Sequence, residues 1–123
     1  MTMKKSECIQ RIPEGGYVFR IYPPNNKSQS LGQSTKVYAS EKECRDAFNR
    51  FIDLVAEHKI SDESFVKIKK YSTQGEKGML TKWTFHFYDE DGREVFTRRM
   101  PYWAKANCSK GIASVVRYVK ELK

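Results

Sequence analysis

Residues 83–100 read WTFHFYDEDGREVFTRRM, and residues 101–122 continue PYWAKANCSKGIASVVRYVKEL. Apolar residues alternate at Trp83, Phe85 and Phe87, a turn signal stands at Asp91-Gly92, and a second β-prone run carries Val95 and Phe96. Alternation interrupted by such a turn predicts a β-hairpin. The period then changes. Cys108, Gly111, Ile112, Val115, Val116, Val119 and Leu122 recur at spacings of three and four, which places them on one face of a helix expected from Trp103 to about Leu122.

The same unit recurs earlier. Tyr17-Val18-Phe19-Arg20-Ile21-Tyr22 has the alternation and aromatic ending of Trp83-Thr84-Phe85-His86-Phe87-Tyr88. Tyr38 and Cys44 fall against Tyr102 and Cys108, and Ala47, Phe48, Phe51, Ile52 and Val55 fall against Gly111, Ile112, Val115, Val116 and Val119. The small difference in offset between the two sets belongs in a hairpin loop, where length changes are tolerated. The chain therefore reads as an internal duplication with repeats over about residues 6–58 and 64–122. Halves of about 60 residues have marginal cores on their own, so one shared domain over residues 1–123 is expected.

Glu7 to Ile12 is a candidate strand ended by Pro13-Glu14-Gly15-Gly16, and Pro23-Pro24-Asn25-Asn26 ends the next, from Tyr17 to Tyr22. A weak strand is expected near Leu31 to Val37 after a polar loop. Ser40-Glu41-Lys42-Glu43 has capping-box spacing before a helix running to about Glu57. Phe65 to Tyr71 is β-prone, and Thr73 to Gly78 reads as a polar connection into the strand at Trp83. The expected fold class is α+β: duplicated β-β-β-α units forming an antiparallel sheet, with two helices packed on one face.

A formal charge of +8 and a pI near 9.4 favour acidic partners, although the basic residues are spread along the chain. Three cysteines without C-x-x-C spacing argue against a disulfide framework or a zinc site and suit a reducing cytoplasm. Met1 to Ile12 has no apolar h-region and no apolar run is long enough to cross a bilayer, so a soluble, unprocessed, cytoplasmic chain without membrane contact is expected.

Alternation also defines the face turned away from the helices. If Trp83, Phe85 and Phe87 point inward, His86 and Tyr88 point outward, with Arg20 and Tyr22 of the earlier strand. If Val66 and Ile68 point inward, Phe65, Lys67, Lys69 and Tyr71 join them. Aromatic and basic side chains that interleave in this way can stack bases and neutralise phosphates. A solvated or self-associating sheet face is the competing reading, with a homo-oligomer formed through it.

Little else carries chemistry. Cys44 and Cys108 occupy matching positions among apolar neighbours and read as buried structural residues. His58 and His86 lack partners at ligand spacing, which leaves neither a metal site nor a catalytic base. Asp89-Glu90-Asp91 is a turn, and Gly75 and Gly78 lack the phosphate-loop spacing.

Phe85-His86-Phe87, Asp91-Gly92-Arg93-Glu94, Tyr102 and Gly111-Ile112-Ala113-Ser114-Val115 together resemble the repeat of the YegP-like family, small proteins of uncharacterised function. The likeness covers about forty residues. The earlier half keeps Tyr38-Ala39-Ser40-Glu41-Lys42 at its helix entry but has Ala47-Phe48-Asn49-Arg50-Phe51 in place of the Gly-Ile-x-Ser-Val run. The resemblance implies tandem β-β-β-α units and no particular activity. The expectation is thus a non-enzymatic binding or interaction module with no cofactor. The alternative is a single-stranded nucleic-acid binder using Arg20, Tyr22, Phe65, Lys67, Lys69, Tyr71, His86 and Tyr88.

Overall fold

The computed structural model describes residues 4–23, 29–98 and 100–122. Its elements are α1 (Lys5–Cys8), β1 (Ile9–Arg11), β2 (Tyr17–Ile21), β3 (Gly32–Ser34), α2 (Glu41–Glu57), β4 (Val66–Gly75), β5 (Gly78–Tyr88), β6 (Glu94–Thr97) and α3 (Lys105–Glu121). The strands form one six-stranded antiparallel sheet in the order β1-β2-β3-β6-β5-β4. The α+β class with an antiparallel sheet is thus as the alternation and short connections required.

The second helix starts where its capping residues dictate: Ser40 accepts a hydrogen bond from the Glu43 amide at 3.2 Å. The third starts at Lys105 and not at Trp103, because Tyr102 is held in an antiparallel bridge with Trp83 and Ala104 occupies the cap position. The expected first strand is shorter than its apolar pattern suggested. Lys5–Cys8 makes a helical turn instead, with the Glu7 carboxylate accepting from the Lys4 amide at 3.0 Å. The expected strand from Leu31 to Val37 contracts to Gly32–Ser34, since the Ser34 hydroxyl turns to the Lys36 carbonyl at 2.9 Å. The loop read through Pro24-Asn25-Asn26 lies outside the described residues.

The largest departure is between β4 and β5. Thr73 to Gly75 and Gly78 belong to strands, and the connection is only Glu76-Lys77, so the two strands form a long ribbon in register from Val66↔Phe87 to Gly75↔Gly78. In contrast, the β5-β6 turn is where it was expected. Gly92 has φ +78°, and the Asp89 carboxylate accepts from the amides of Asp91 and Arg93.

Both long helices bury one stripe against the same side of the sheet. Cys44, Phe48, Phe51, Ile52 and Val55 from α2 meet Cys108, Ile112, Val115, Val116 and Val119 from α3 over Phe19, Ile21, Phe85, Phe87 and Phe96. Phe51 stacks on Phe96 at 4.8 Å between ring centres and meets Phe87 edge-on at 5.5 Å. Each such fully buried ring is worth about 1.5–3 kcal/mol over exposure. The rings are thereby confined to one face, and the opposite face carries the polar side chains.

Candidate nucleic-acid interface

Register places a row of side chains straight across the face opposite the helices: Arg20, Gln33, Thr97, His86 and Lys67 on five neighbouring strands. The row divides into three regions with different chemistry.

Over β1 to β3 the polar groups engage one another. Arg20 donates to Gln33 Oε1 at 3.0 Å and to Gln10 Oε1 at 2.9 Å, and the Tyr22 hydroxyl donates to the same Gln10 oxygen at 3.1 Å. The Tyr22 ring also packs partly against the core. This end of the face is therefore closed by its own hydrogen bonds.

At the centre, His86 is held on both ring nitrogens. Nε2 meets the Thr84 hydroxyl at 2.8 Å, while Nδ1 meets the Thr97 hydroxyl at 3.1 Å and the Glu94 carboxylate. The other oxygen of Glu94 accepts from the Thr35 hydroxyl at 2.9 Å. Thr84, His86 and Glu94 have the connectivity of a nucleophile, base and orienting carboxylate. Thr84 is only 7% exposed, however, so little of it is open to a substrate. The arrangement fixes His86 as a positioned hydrogen-bonding group. Sequence spacing does not show this carboxylate partner of His86, because Glu94 is delivered across the hairpin turn and not at a short spacing.

Over β4 and β5 the face is basic and aromatic. The Lys67 and Lys69 ammonium groups lie 5.2 Å and 5.9 Å from the centre of the Tyr88 ring. Tyr71, 41% exposed, is opposite Lys82 in register. Lys82 lies 5.1 Å from the ring of Trp103, which is 63% exposed. Lys67 and Lys69 are therefore gathered at Tyr88, while Tyr71 shares the face but stands with Lys82 farther along the ribbon. Phe65 is not among them. It is 2% exposed, stacked on His58 at 5.3 Å and edge-on to Phe87. Strand β4 begins at Val66, so Phe65 belongs to the preceding turn, and strand alternation cannot be extended to it.

Lys82 and Trp103 were missed by the sequence reading. Lys82 was available by continuing the alternation Tyr88, His86, Thr84 one step further. Trp103 required knowing that Tyr102 is strand-like and that its neighbour must face the other way.

Two further clusters lie elsewhere. Glu57, His58 and Glu90 bring potential ligand atoms within 4.8 Å of one another at the end of α2, and His58 Nδ1 lies 3.5 Å from Asp62. Ser64 donates hydrogen bonds to Asp62 and holds its carboxyl below the usual range. His58 therefore has carboxylates around it, contrary to the sequence reading. A groove of about 480 Å³ beside α2 mixes Lys36, Arg50 and Arg93 with Asp53, Asp89 and Glu90. Its charges do not single out a ligand. Cys8, Cys44 and Cys108 are buried, and burial pushes their thiols up to about 12, about 11 and about 11 respectively. Protonated thiols at neutral pH are poor nucleophiles and poor metal ligands.

Among the described residues no helix is long and apolar enough to cross a membrane. Compared with models of known families, with curated proteins and with solved structures, the chain matches none.

Proposed function

We propose that the chain is a non-enzymatic binding module whose open sheet face takes a single strand of nucleic acid. The observation that carries this reading is the set of lysines lying against rings of the open face: Lys67 and Lys69 at the partly buried Tyr88, and Lys82 at the exposed Trp103. Stacked bases need exposed aromatic faces, and the backbone between them needs positive charge. The proposal includes a duplicated β-β-β-α architecture resembling the YegP-like family. It is supported by the symmetric strand order about β3 and β6 and by the matching bridges Tyr17↔Tyr38 and Trp83↔Tyr102.

The test is anisotropy titration of labelled oligo-dT and of a duplex of the same length near physiological salt. Single strands should bind more tightly than duplex, and Tyr88→Ala or Tyr71→Ala should weaken binding by about 1–3 kcal/mol. Lys67→Ala should lower the slope of log K against log salt by about 0.7. Equal affinity for single and double strands overturns the proposal, as does a dimer that buries Tyr71 and Tyr88.

A further inference from the structure

Within that reading, the face is not uniform, and its asymmetry fixes a direction. Arg20 is engaged by Gln10 and Gln33, and the centre holds the carboxylate of Glu94. Strands β4 and β5, VKIKKYSTQG and GMLTKWTFHFY, contain no Asp or Glu at all. The ribbon's lysines thus have no acid on their own strands, and the Glu94 carboxylate beside β5 is engaged by His86.

Trp103 stands beside the ribbon in a prepared position. Trp83 and Tyr102 exchange both backbone hydrogen bonds at 2.8 Å, which makes Tyr102 part of the sheet for one residue. The Tyr102 ring goes to the helix side, where it packs against Gly111, lies 4.2 Å from the Arg98 guanidinium and accepts from it at 2.8 Å. Successive side chains of an extended segment point to opposite faces, so the anchoring of Tyr102 presents the Trp103 indole on the open side next to Lys82. The matching bridge of the earlier half, Tyr17↔Tyr38, is followed by Ala39, which has no ring to offer.

We infer that the single strand runs along β5 from Tyr88 to Trp103, and not across the sheet toward Arg20. Trp103 is a stacking platform at one end, and Lys82 neutralises the phosphate beside it. The stretch from Tyr88 to Lys82 spans about 20 Å at a strand's rise of about 3.3 Å per residue. Because any base has a face to stack, the site should prefer length over sequence.

The inference rests on the proposed function, and a ladder of labelled oligo-dT lengths tests the two separately. Trp103→Ala should weaken binding about 5- to 150-fold, and Trp103→Phe, which keeps a ring, should retain most of the affinity. Lys82→Ala should flatten the salt dependence, while Lys110→Ala, on α3 away from this face, should change affinity by less than about twofold. Thermal melts of each variant report whether the fold is intact. Undiminished binding by Trp103→Ala, or a loss concentrated at Arg20→Gln, overturns the path along β5 and leaves the open-face reading standing. No binding by the unmodified chain overturns both.

Discussion

Gly111 sits where the phenol of Tyr102 leaves no room for a Cβ, which would stand 2.9 Å from the ring's Cζ and closer still to the hydroxyl oxygen. Two effects oppose each other on substitution. Gly→Ala inside a helix gains about 1 kcal/mol of propensity, whereas overpacking costs about 1–3 kcal/mol. The Tyr102 ring is held by Arg98 and its backbone by Trp83, so it yields poorly and the cost should win. Gly111→Ala should lower the denaturant midpoint in the intact chain and raise it in a Tyr102→Ala background. The same sign in both backgrounds would mean that the ring does not set the demand for glycine.

The two long helices differ at the residue that caps their N-terminus. Ser40 caps α2 with its hydroxyl, while Ala104 at the start of α3 has similar extended dihedrals, φ −134° and ψ 138°, but no side chain to accept a bond. Ala104→Ser should therefore stabilise the chain by about 0.5–2 kcal/mol, and Ser40→Ala should destabilise it by a similar amount. Chemical denaturation of both variants checks the pair; a neutral Ala104→Ser would show that the α3 terminus is already served by other groups.

Thr84→Val keeps the branched shape and removes only the hydroxyl that meets His86 Nε2. With Thr84 buried, the unpaired nitrogen should cost about 1–3 kcal/mol of stability. A change near zero would indicate that water reaches His86 and that the centre of the face is wetter than its burial implies.

Buried thiols make stability fall at high pH. Cys44 and Cys108 have an ordinary thiol pKa of 9.0, and burial pushes it up to about 11 in the fold, so the folded chain holds these protons more tightly. Their contribution is complete below the unfolded value of about 9 and is lost as pH rises through about 11. Urea midpoints between pH 8 and 11 should decline less steeply in the Cys44→Ala/Cys108→Ala chain than in the unmodified one. Thiol reagents should label the native cysteines far more slowly than the denatured ones, and parity would place both thiols at the surface.

Where the sequence alternates or repeats every three to four residues, it foretold the fold. Phe85, Phe87, Phe51 and Val115 are buried as their periods required, and Ser40 starts its helix because the cap is local chemistry. The long β4-β5 ribbon was hidden because Thr73, Gln74 and Gly75 have turn-like composition. Their pairing with Leu80, Met79 and Gly78 is a property of the partner strand, not of the segment itself. Phe65 was misplaced for the converse reason, since alternation is silent about where a strand begins. The lysines and tyrosines of the face were legible by parity. Trp103 and Glu94 reach it only through a bridge and a hairpin turn.

The sheet ends on one side at β1, three residues long, and on the other at β4, a ten-residue strand bearing Lys67, Lys69 and Lys70. A second copy added along β4 would bring two sets of these ammonium groups to one seam, and exposed lysines on an edge strand disfavour such addition. The lysines that suit a polyanion thus also hinder fibrillar growth by edge-to-edge addition, since the longest free rim of the sheet repels the one sequence always present at equal concentration.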